Sequence, residues 1–143
     1  MGGNSCEFVV GRLLEVRFAP GPRRLVDVPQ MIDLVAARVA HLDPGVRFAV
    51  VADWRAVQIM SPEMAARALQ MLAGVNQRVT RSALLTQPAN ATMNMQILRL
   101  IQEAENVHRR PFASPHSLYR WLSEVLTEPE SRRLTEFLGI TAE

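Results

Sequence analysis

The sequence contains no lysine: its sixteen basic residues are all arginine, set against fourteen acids for a formal net charge of +2. The arginines are scattered, with doublets only at Arg23-Arg24, Arg109-Arg110 and Arg132-Arg133. A nucleic-acid-binding face calls for a longer basic stripe with exposed aromatics for stacking. Aromatics are scarce here, at five Phe, two Trp and one Tyr, so nucleic acid is not the expected partner. Cysteine is limited to Cys6, which excludes an internal disulfide. Met1 to Glu7 lacks the basic and apolar regions of a signal peptide, and a cytoplasmic setting is expected. No apolar run is long enough to span a bilayer, so the chain is not expected to be transmembrane. The seven glycines are dispersed, and no strand-to-helix turn carries GxGxxG or GK[ST]. Cys6, His41, His108 and His116 lie far apart in sequence. No pair has metal-ligand spacing, and a Cys-His nucleophile pair would need Cys6 brought beside one of them. The expectation is no catalytic residue, no metal site and no cofactor.

What is present is an α/β pattern in a chain of 143 residues, a length that fits one domain, residues 1–143, with its own core. The organising stretch runs from Val46 to Gly74. Phe48-Ala49-Val50-Val51-Ala52 is an unbroken apolar run, as expected of a strand covered on both faces. It stops at Asp53, and Trp54 to Met60 form a short bridge. Ser61-Pro62-Glu63 supplies an N-cap hydroxyl, a first-turn proline and an acid at the positive end of the helix dipole. Met64, Ala65, Ala68, Leu69, Met71 and Leu72 keep helical spacing, and Gly74 is read as the stop.

Around this stretch, residues 5 to 10 and Leu14 to Phe18 read as an antiparallel hairpin. Glu15 and Arg17 alternate with apolar residues there, which predicts one wet face. Asp27 and Pro29 open a helix with the stripe Val28, Met31, Ile32, Val35, Val39 and Leu42. Arg78 to Thr86 is a strand, Ala91 to Val107 a helix, and Arg110 to Ala113 an edge strand that tolerates proline. Ser114-Pro115 starts a helix with Leu118, Trp121, Leu122, Val125 and Leu126 inward. Thr127-Glu128-Pro129-Glu130 has capping-box spacing ahead of a last helix carrying Leu134, Phe137 and Leu138. Met60, Met64, Met71, Met93 and Met95 read as core filler. The order β-β-α-β-α-β-α-β-α plus a C-terminal helix predicts a mixed, mainly parallel sheet with flanking helices.

That order, with Val50-Val51-Ala52-Asp53, Val57-Gln58-Ile59-Met60, Ser61-Pro62-Glu63-Met64 and the late Arg110-Pro111-Phe112 followed by Trp121-Leu122, resembles the STAS domain. The likeness is to the SpoIIAA-like, SEC14-type branch that includes anti-sigma-factor antagonists. It covers nearly the whole chain and rests more on topology than on motif. The resemblance implies a non-enzymatic regulatory module that binds another protein at the strand-to-helix corner, where Asp53, Trp54, Arg55, Ser61 and Glu63 are the partner-binding candidates. It also departs from the family. The antagonists carry a phosphorylatable hydroxyl directly after the motif's first residue, and that position is Pro62. Ser61 is read first as a helix cap, and Glu63 as a dipole partner or a fixed negative charge. The alternative function is a carrier of a small apolar ligand or lipid, in a groove between the helices that begin at Ala91 and Ser114. Both readings leave room for a homodimer.

Overall fold

The computed structural model describes residues 5–18, 28–57, 61–104 and 108–141. The predicted cap Asp27, the loop from Ala19, the last three residues of the bridge at 58–60, and the predicted end of the third helix at 105–107 lie outside them.

β1 (Ser5–Phe8) and β2 (Leu13–Arg17) pair antiparallel through a turn in which Gly11 takes φ 59°. β3 (Phe48–Asp53), β4 (Val79–Leu85) and β5 (Arg109–Phe112) then add in parallel. The result is a five-stranded mixed sheet in the order β1-β2-β3-β4-β5, with β3 at its centre. α1 (Val28–Ala40), α2 (Pro62–Gly74) and α3 (Ala91–Ala104) make the three crossovers. α4 (Pro115–Leu122), a 3-10 turn (Ser123–Val125) and α5 (Glu128–Leu138) follow β5.

Each crossover steps one strand in the same direction, and right-handed connections then put all three crossover helices on one face. The packing agrees. Leu14, Val16, Phe48, Ala52 and Leu84 from the sheet share a core with Met31, Val35, Ala68, Leu72, Met93, Ile97 and Leu100. The residues of opposite parity, Leu13, Ala49, Val51, Ala83 and Leu85, pack on Leu118, Leu122, Leu134, Phe137 and Leu138 from α4 and α5. The sheet is therefore covered on both sides, as the unbroken run in β3 predicts.

Three expectations are corrected. The Glu15 face of β2 is not wet. Glu15 is buried under α5, where Arg133 donates to its two carboxylate oxygens at 2.6 and 2.8 Å. Gly74 does not cap α2: it is the last helical residue, and Val75 caps with its N–H on the Ala73 carbonyl. On α4 and beyond, Leu118 and Leu122 are buried, but Val125 is exposed and Trp121 is half-buried beneath the guanidinium groups of Arg81 and Arg110.

The capping box is present. Thr127 Oγ accepts from Glu130 N, and Glu130 Oε1 accepts from Thr127 N at 2.9 Å. Gly139 closes α5 at φ 69°.

Candidate functional site

The end of β3 follows from its alternation. Ala49, Val51 and Asp53 face α4 and α5, whereas Phe48, Val50, Ala52 and the next residue, Trp54, face α1 and α2. The Asp53 side chain is 7% exposed. Its carboxylate is fully engaged. Oδ1 accepts from the backbone N–H of Arg55 at 3.1 Å and from its Nε at 3.0 Å. Oδ2 accepts from Arg55 Nη2 and from Arg17 Nη1, each at 2.9 Å. Arg17 is the register partner of Asp53 at the end of β2. Its other terminal nitrogen donates to the Phe137 carbonyl at 2.8 Å, and its guanidinium lies 4.2 Å over the Phe137 ring. The hydrogen bond to Asp53 raises the pKa of Arg55, so this cation is held more firmly charged than usual.

The corner is thus two guanidinium groups on one carboxylate, a local surplus of one positive charge. The Arg17 and Arg55 side chains are 39% and 42% exposed. A guanidinium carries five N–H donors. Each of these two makes two side-chain bonds here, so each keeps donors for a further acceptor. Forked donors of this kind match carboxylate and phosphate oxygens.

Trp54, one of the partner-binding candidates, does not belong to this surface: of the two roles open to it, core ring and exposed anchor, the structure has the first. It is 2% exposed and packs edge-on against Phe18 at 5.0 Å between centroids. Ser61 and Glu63 are exposed at the start of α2, where Ser61 Oγ accepts from Met64 N at 3.2 Å. Among the described residues, no hydrogen bond or ion pair joins Ser61 or Glu63 to Asp53 or Arg55. Of the five candidates, the structure brings together Asp53 and Arg55, adds Arg17, sends Trp54 inward, and leaves Ser61 and Glu63 as a separate exposed helix start. Arg17 was missed because it reads as one of the alternating charges of β2, and only the register of β2 on β3 brings it to Asp53.

Among the described residues the predicted groove between the helices beginning at Ala91 and Ser114 is absent, because α3 and α4 lie on opposite faces of the sheet. The hollow at that edge, about 160 Å³, is lined by Thr86, Asn94, Leu98, Pro111, Phe112 and Ala113, with nothing from α4. A larger open cleft of about 590 Å³ lies at the other end of the sheet, between Arg12, Arg47, Thr80, Val125, Thr127 and Glu130. Met95, read as core filler, is 70% exposed on α3 beside exposed Leu98. Among the described residues no group of His, Cys, Asp or Glu could hold a metal ion, and no helix is long and apolar enough to cross a membrane.

Comparison with protein-family models, with curated proteins and with solved structures returns no match for this chain.

Proposed function

We propose that this chain is a non-enzymatic, STAS-like interaction module that binds an acidic group of another protein at the Asp53 corner. The observation that carries the proposal is the Asp53 carboxylate held by two half-exposed arginines. The buried acid fixes both guanidinium groups, so little side-chain entropy remains to be lost when a partner's carboxylate docks. The surplus charge attracts that partner and rejects a basic one. The exposed start of α2, with Ser61 and Glu63, is the natural rim of the same interface.

What supports a STAS-like arrangement is the antiparallel hairpin leading into three parallel crossovers, with Asp53 at the end of the central strand. The phosphorylation switch of the antagonists is not part of the proposal. Pro62 has no hydroxyl, and Ser61 is engaged as the α2 cap. The carrier alternative has less support. A lined apolar pocket for a small molecule starts at about 300 Å³, and the apolar cavity between the sheet and helices α1 and α2 is about 40 Å³.

The test is quantitative capture from the source cell with three baits: the unmodified chain, Arg55→Glu, and Arg47→Glu on the opposite end of the sheet. The partner recovered is then purified and its affinity measured. Arg55→Glu is expected to weaken binding by about tenfold or more, the scale of 1.4 kcal/mol, while Arg47→Glu leaves it unchanged. Equal affinity for all three baits would remove the corner from the functional account.

A further inference from the structure

A basic residue stands directly before each of the four strands that run in one direction: Arg12 before β2, Arg47 before β3, Arg78 before β4 and His108 before β5. Because the strands are parallel, these residues gather at the end of the sheet opposite Asp53. Arg78 is spent on loop carbonyls, with Nε donating to Val46 O at 3.1 Å and Nη2 to Asp43 O at 3.0 Å. Arg12 and Arg47 are different. Both are exposed, and among the described residues neither forms an ion pair. Arg47 donates from Nη2 to the Val79 carbonyl at 3.1 Å. A guanidinium has five N–H donors, so each keeps donors for an incoming acceptor.

Both arginines line the open cleft of about 590 Å³. The acid that shares the wall, Glu130, is already committed: its two oxygens accept the backbone N–H groups of Thr127 and Arg12. The cleft therefore holds two cations against one engaged carboxylate, a surplus of one positive charge. The rest of its wall includes the apolar side chains of Val10, Leu126, Pro129 and Val125, and Val125 is 41% exposed. Forked cationic donors beside apolar surface suit a molecule that is itself part acid and part hydrocarbon. The volume lies within the range of roughly 300–1,000 Å³ usual for a small-molecule site.

We infer that this cleft binds a small amphipathic acid, whose oxyanion head, a carboxylate or a phosphate monoester, is held by Arg12 and Arg47 and whose apolar body covers Val125 and Leu126. The single surplus charge sets the preference for one acidic group. The cleft is open, so the bound acid stays in contact with solvent, unlike the cargo of a carrier's enclosed groove. The site lies at the opposite end of the sheet from the Asp53 corner, and its occupancy does not depend on a protein partner.

The experiment titrates the unmodified protein with sodium octanoate, octyl phosphate, sodium acetate and octanol, each below its aggregation limit. Calorimetry gives the affinity, and the amide NMR spectrum gives the place. Octanoate or octyl phosphate should bind saturably and shift the amides of Arg12, Arg47 and Leu126. Tighter binding of octanoate identifies a carboxylate head, and tighter binding of octyl phosphate a phosphate head. Acetate keeps a head without the body and octanol the body without a head, so each should bind about tenfold more weakly or worse. Arg12→Gln alters an exposed side chain and leaves the backbone N–H on Glu130 in place, so it should fold normally and weaken octanoate by about tenfold. Arg47→Gln should do the same, with its unfolding midpoint measured alongside because the bond to Val79 is also lost. The inference is overturned if neither acid saturates, if octanol binds as tightly as octanoate, if the shifts fall on the exposed Met95–Leu98 face instead, or if Arg12→Gln binds octanoate like the parent.

Discussion

Trp54 and Arg55 are adjacent in sequence and opposite in role. The even positions Phe48, Val50 and Ala52 face α1 and α2, and Trp54 continues that series one step past the strand. The signal was in the sequence. Asp53 marks the end of the apolar run, and a residue after that end reads as loop, although the alternation of the backbone carries on through it. Asp53 and Arg55 were legible as a pair because a carboxylate and a guanidinium two residues apart sit within reach of each other. Arg17 was not, since no local pattern reveals which residue of another strand falls in register. Trp54→Ala is expected to cost about 3–5 kcal/mol of folding stability, the range for an aromatic removed from a core. Arg55→Glu removes two side-chain bonds to the buried Asp53 carboxylate and sets a like charge beside it, so its urea midpoint should also fall. A Trp54→Ala protein as stable as the parent would place the indole outside the core.

At the scale of elements, helices and strands were legible where one face is apolar and the ends carry recognisable chemistry. Thr127 and Glu130 announce α5 by spacing alone, and both reciprocal bonds form. The failure at Glu15 has the opposite cause. A strand with charges on alternate positions has the pattern of a wet face, and only the return of α5 with Arg133 turns those charges inward. That pairing spans 118 residues, and no periodicity records it.

Glu130 does more than cap. Its Oε2 accepts the backbone N–H of Arg12 at 2.7 Å, tying the β1–β2 turn to α5. The carboxylate fills the space where a Cβ on Gly11 would sit, so the hairpin turn and the helix cap are one structure. Thr127→Ala should cost about 1 kcal/mol, the usual value of an N-cap. Glu130→Ala should cost more, about 2–3 kcal/mol, because a second backbone N–H also loses its partner. Chemical denaturation of both variants checks the order, and equal losses would mean that the Arg12 bond contributes nothing to stability.

At the scale of the whole molecule, the element order and the centrality of β3 followed from the sequence, but the geometry of the candidate site did not. Ligand crevices in open parallel sheets form where successive connections leave on opposite faces. In this sheet the strand order never reverses and α1, α2 and α3 share a face, so no such crevice opens at the end of β3. The corner offers a charged surface instead, two arginines braced by a buried acid, which suits a macromolecular partner. The central claim is that this corner is where the partner docks. Hydrogen exchange on the captured complex, compared with the free chain, tests it most directly. The account predicts slowed exchange confined to the backbone amides following Asp53 and those of the first turn of α2, with β4 unchanged. Slowed exchange at the cleft beside Arg12 and Arg47, or along the exposed Met95–Leu98 face of α3, with none around Arg55, would contradict it.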